Sequence, residues 1–304
     1  MATPFPTDRN SKTDETLVLR VVAAGAGATW WVEGWRLVAR DLPTWLGIGI
    51  IYIVLSVALS KLPLIGEAAE WLLTPVFAGG ILLGCDALQR GGRLRFSHLF
   101  DGFKRPHFVP LLTVSIINLA LAAAAVLVGV VVMAGSLGLS GDLRFDNFSD
   151  DPLLLLKALG LSSVLLVAVV LVLVAIIAMA YWFAPALIVL RGARPVDSMR
   201  TSIRACMRNW VPFLVYGLIG IAIMIVALLV LLALTAAIGW ETIYTMIVGT
   251  ASWASIGMGL GFLGIIYIAL IIVVSMVVSA STYASYHDIF AADAPPDTFA
   301  KPAD

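Results

Sequence analysis

Charged side chains are scarce in this sequence. Asp, Glu, Lys and Arg make up 12% of 304 residues, apolar residues 61%, and the mean hydropathy is +1.01. Soluble domains carry about a quarter charged residues, so a water-soluble globular chain is excluded and the apolar surplus predicts an all-α integral membrane protein. Acidic and basic residues balance at nineteen each, which removes any bulk attraction to nucleic acid. Two cysteines exclude a disulfide scaffold. The histidines His98, His107 and His287 have no neighbour at zinc-ligand spacing, so neither a metal nor a cofactor is expected. The first eighteen residues are polar and include Asp8, Arg9, Lys12, Asp14 and Glu15, which predicts no secretory signal. Residues 1–18 and 291–304 read as disordered tails around one membrane domain at 19–290.

Long apolar runs are what the chain has in abundance. A spanning helix needs about 20 apolar residues to cross about 30 Å of hydrocarbon, and six such runs are predicted, at 45–62, 69–88, 108–134, 161–183, 213–238 and 258–280. The fourth lies in an apolar stretch too long for one crossing, and Gly160 and Pro185 are its predicted breaks. Between the third and fourth, a polar loop carries Asp142, Asp146, Asp150 and Asp151 without the spacing of a calcium loop. Six spans place both termini on one side, and sixteen of the nineteen basic residues then share that side. By the positive-inside rule both termini are cytoplasmic, and Glu67 and Glu70 belong to the opposite face.

A threefold repeat is predicted, with units at about 28–89, 93–190 and 195–290. Each unit is read as an amphipathic helix at the cytoplasmic interface followed by a transmembrane hairpin. In the first, Trp31, Trp35, Val38 and Leu42 form an apolar stripe opposite Glu33, Arg36 and Arg40; in the second, Phe96, Leu99, Phe100 and Phe103 recur at helical spacing. In the third, Val196, Met199, Ile203, Met207 and Trp210 oppose Arg200, Arg204 and Arg208. The second and third units align best: RGGR at Arg90 with RGAR at Arg191, Ser97 with Ser198, and Phe108-Val-Pro with Trp210-Val-Pro.

Few motifs carry chemistry. Gly259-Leu-Gly-Phe-Leu-Gly264 matches a dinucleotide fingerprint but falls inside a predicted membrane helix. Gly257 with Gly261, like Gly80 with Gly84, is read instead as a small-residue packing contact. Ser275, Ser279, Thr282 and Tyr286 continue the glycine stripe as a packing seam or the wall of a polar path. Beyond them Tyr283, Tyr286, His287 and Phe290 are expected to form an aromatic face at the membrane interface. No nucleophile with a base, metal triad or carboxylate pair falls in a predicted span, so no catalytic residue is nominated and the chain is expected not to be an enzyme.

WWVEGWRLVARD before the first span, YWFAPALIVLRG closing the fourth, CMRNWVPFLVYG opening the fifth and STYASYHDIF closing the sixth together resemble an uncharacterised proteobacterial family of six-helix inner-membrane proteins. A looser similarity extends to YciC-like proteins and to the membrane domain accompanying some glycerophosphodiester phosphodiesterases. The resemblance implies a multi-pass plasma-membrane protein and supplies no catalytic residue. The leading expectation is a non-catalytic scaffold or accessory protein that contacts anionic lipid through Arg36, Arg40, Lys104, Arg105, Arg200, Arg204 and Arg208, or a membrane-protein partner or second copy of itself. The alternative is a transporter or channel for a small or amphipathic solute, with a path along Ser275, Ser279, Thr282 and Tyr286.

Overall fold

The computed structural model describes residues 19–63, 65–139, 160–248 and 253–290, and these contain helices and no strand. Both predicted tails and the acidic loop with Asp142, Asp146, Asp150 and Asp151 lie outside the described residues. The elements are α1 (Ala26–Ala39), α2 (Leu42–Ser60), α3 (Ile65–Gln89), a 3-10 segment η1 (Phe96–Phe103), α4 (Phe108–Leu139), α5 (Gly160–Trp182), α6 (Ala184–Arg191), α7 (Pro195–Arg208), α8 (Trp210–Ile247) and α9 (Trp253–Phe290). Six helical stretches are long and apolar enough to cross a membrane: Leu42–Ser60, Ile65–Gln89, Phe108–Val132, Leu166–Arg191, Trp210–Trp240 and Gly261–Phe290.

The breaks follow backbone chemistry. Pro43 sits in the first turn of α2, where a missing N–H is harmless. The predicted break at Pro185 is present and falls at Phe183, between α5 and α6. There the Ser202 hydroxyl of α7 inserts into the helical ladder: Phe183 N–H donates to Ser202 Oγ at 3.0 Å, and Ser202 in turn donates to Met179 O. The RGGR and RGAR motifs end α3 and α6, and each places a glycine in the left-handed region, Gly91 at φ 81° and Gly192 at φ 67°. Phe108 and Trp210 open α4 and α8, each with a proline two residues on.

α3 is the central helix. Half of its apolar window is buried, whereas none of the α8 window is. It packs against α2, η1, α4, α6 and α9. The buried core lies toward the end of the bundle where the described chain ends meet, with Arg20 N–H donating to Ile289 O at 3.1 Å. Two aromatic clusters build it. Trp30, Trp182, Phe183, Phe213, Tyr216, Tyr286 and Phe290 interlock at centroid distances of 5.1–6.5 Å, and Phe77 collects Tyr52, Phe100 and Phe103.

Several expected faces are corrected. The buried stripe of α1 is Gly27, Trp30, Gly34, Leu37 and Val38, while Trp35 is 49% exposed. α1 packs on α8 and α9 through its glycines: a Cβ on Gly34 would lie 2.9 Å from Val277 O and from Ser281 N. The buried face of α7 is Ser198, Met199, Ser202, Ala205 and Cys206, and Val196, Met207 and Trp210 point away. The second segment is a 3-10 turn that presses its backbone onto α3, with Gly80 against His98 O and Leu99 O, and Gly102 against Val76 O. Gly80 and Gly84 therefore do make close contacts, but with η1. Gly257, Gly261 and Gly264 have no described atom within 4 Å of an added Cβ, so they form no packing seam among the described residues. Tyr283, Tyr286 and Phe290 are buried in the core and do not form an interfacial face. The reason is common to all of them: lipid is as apolar as leucine, so close backbone approach at small residues selects the inward face.

Candidate functional site

The basic residues nominated from the sequence sit at the ends of α1 and η1 and along α7, and all seven are exposed. Arg36 pairs with Glu33 and Lys104 with Asp101 at 2.6 Å, each three residues apart in sequence. Arg40, Arg105, Arg200, Arg204 and Arg208 have no carboxylate within ion-pair distance among the described residues. The three arginines of α7 share its outer face. Its inner face is anchored by the Ser202 hydroxyl described above and by Cys206, whose thiol is pushed up to about 12 by burial and so stays protonated.

Beside η1, burial holds His98 below the usual histidine value, Arg95 and Lys104 add to the shift, and Asp101 opposes it. A neutral ring suits its geometry, because His98 Nδ1 accepts the Arg95 N–H at 3.0 Å and closes the start of η1.

A polar girdle ties the chain ends to the bundle. Trp30 Nε1 donates to Asp288 Oδ2 at 2.9 Å, Arg191 donates to Phe290 O at 3.0 Å, and Asp86 accepts Tyr283 OH at 3.1 Å while pairing with Arg90. Asn209, 1% exposed, is the hub: its Oδ1 accepts Val22 N–H at 2.9 Å and its Nδ2 donates to Arg20 O and Ala205 O at 3.0 and 3.1 Å.

Of the four residues of the expected polar path, two come together. Ser275 and Ser279 line a cavity of about 250 Å³ between α2, α3 and α9, walled mainly by Trp45, Tyr52, Phe77 and Ile272. Thr282 spends its hydroxyl on Val278 O, and Tyr286 stacks on Phe290 in the aromatic core. A second cavity, of about 460 Å³, lies between α3, α4 and α5 and includes Glu67 and Glu70 in its wall. Thr74 borders both cavities.

Residues 63–291, from the turn after α2 to the end of α9, match a family described as a domain of unknown function, DUF7847. The chain belongs to this family. The DUF7847 match begins after α1 and α2, so the docked first helix lies outside it. A relative, a probable inner membrane protein of Burkholderia thailandensis, is 27% identical over 281 residues, covering 90% of this chain and 94% of the relative. No solved structure matches. With six apolar helices, this DUF7847 chain is a multi-pass inner-membrane protein.

Sequence reasoning missed the second cavity. The predicted second span started at 69, which left Glu67 outside, whereas α3 begins at Ile65 and carries both acids on its apolar helix. The signal was present: Glu67, Glu70, Trp71 and Thr74 recur at i, i+3, i+4 and i+7, one helical face.

Proposed function

We propose that this protein is a non-catalytic accessory protein of the inner membrane whose exposed arginines hold anionic lipid, or a partner presenting anionic groups, at the cytoplasmic interface. The supporting observation is α7: one face is locked into the bundle, and the other carries Arg200, Arg204 and Arg208 exposed and unpaired by any described carboxylate. The six spans form three hairpins, α2 with α3, α4 with α5 and α6, and α8 with α9, each preceded by a helical segment at the cytoplasmic side. The backbone bond between Arg20 and Ile289 and the basic bias of that side support cytoplasmic termini.

Each interfacial Lys or Arg attracts an anionic surface by about 1 kcal/mol. R200Q/R204Q/R208Q is therefore expected to weaken retention of phosphatidylglycerol roughly a hundredfold, read by native mass spectrometry from mild detergent. Equal retention by wild type and variant overturns the reading.

A second reading, passage of a small or amphipathic solute, is favoured by one observation, the cavity holding Ser275 and Ser279. On that reading Ser275→Leu with Ser279→Leu fills the cavity and abolishes flux of fluorescent amphiphiles in proteoliposomes while the melting temperature is unchanged. Flux equal to wild type rejects the path.

A further inference from the structure

The cavity between α3, α4 and α5 has a definite chemical character. At its mouth stand Glu67 and Trp71, both exposed, with Glu70 half-buried below them; its deeper wall is Pro75, Ser115 and Asn118. Two of the three hydroxyls in the wall, those of Thr74 and Ser115, are bonded to backbone, and the third belongs to Tyr181. Thr74 donates to Glu70 O at 2.7 Å, and Ser115 donates across to Leu72 O at 2.7 Å.

The acceptors are free. Asn118 Oδ1 is shielded and has no partner among the described residues. Neither Glu67 nor Glu70 forms an ion pair with a described residue. Pro75 has no N–H, so the carbonyl of Trp71 lacks its helical partner. No Lys or Arg lines the space. An enclosure with two carboxylates, an unpartnered amide oxygen and no basic residue is complementary to a group that donates hydrogen bonds and carries positive charge. The exposed Trp71 ring adds a face on which a cation can rest.

We propose that this cavity binds a primary ammonium group, either the headgroup of phosphatidylethanolamine from the adjoining leaflet or a free small alkylamine. The carboxylates of Glu67 and Glu70 neutralise the charge, and Asn118 Oδ1 accepts a hydrogen bond at the inner end. This binding is independent of the arginine face on α7.

The test uses the full-length protein. One arm measures phosphatidylethanolamine against phosphatidylcholine, which lacks a primary ammonium, retained from an equimolar mixture, by native mass spectrometry. The other titrates ethanolamine calorimetrically into the protein in phosphatidylglycerol-only nanodiscs. Preferential retention of phosphatidylethanolamine identifies the headgroup, and saturable ethanolamine binding identifies a free amine. In either case E67Q/E70Q lowers binding at least tenfold and E67D/E70D keeps it. Asn118→Leu, which fills the inner end without altering charge, reproduces the loss. Absence of both preferences in the wild type, or binding undiminished in E67Q/E70Q, overturns the proposal.

Discussion

Gly34→Leu is expected to force α1 out of the bundle. A Cβ at Gly34 already meets Val277 O and the Ser281 backbone at 2.9 Å, and the remainder of a leucine has no room between α1 and α9. Neither partner yields cheaply, because both contacts are helix backbone. Overpacking of this kind costs about 1–3 kcal/mol and at times more, and the neighbouring close approach at Gly27, where an added Cβ would lie 2.7 Å from Tyr216 N, would be lost with it. The expected readout is a lower melting temperature in mild detergent, together with proteolytic cleavage within residues 26–39. Gly261→Leu is the matched control: nothing described lies within 4 Å of that position, and the melting temperature is expected to hold. If α1 were a helix resting on the lipid surface, the two variants would behave alike.

Asn209→Leu carries the second large effect. The amide satisfies Val22 N–H and Arg20 O, which belong to the extended segment leading into α1, and so ties that segment to the start of α8. Leucine fills the space yet removes the acceptor of the partly buried Val22 N–H, at about 1–3 kcal/mol. Stability is expected to fall by about that amount, with hydrogen exchange at Val22 rising in step. Asn209→Asp keeps the acceptor for Val22 and loses the donors to Arg20 O and Ala205 O, so its loss should be intermediate. Equal losses in the two variants would mean that the Nδ2 bonds to Arg20 O and Ala205 O, rather than the bond to Val22, fasten the segment.

These two residues mark where sequence reading stops. Asn209 lies in a stretch, CMRNWVPFLVYG, that stood out for its basic and aromatic residues; nothing in its spacing announced that a single amide would hold a segment 187 residues away in the chain. Gly34 has no place in the stripe drawn through Trp31 and Trp35. Periodicity assigned the inward face to the large apolar side chains, and the fold turned Trp35 outward and Gly34 inward. Glu67 falls outside the predicted second span for a related reason. Hydropathy marks where an apolar run begins, and a helix that carries acids along a cavity extends past that point.

By itself the sequence determined the medium, the number of apolar helices, the break near Pro185 and the glycine turns after Arg90 and Arg191, because these depend on transfer from water and on local backbone geometry. Tertiary structure alone decided which faces meet, that η1 coils as a 3-10 turn against α3, and that Glu67, Glu70 and Asn118 surround one space. In water the hydrophobic effect writes the inward face into the sequence pattern. In lipid that force is absent between helices, so the inward face is chosen by close backbone approach and paired polar groups, which exist only once the helices have met.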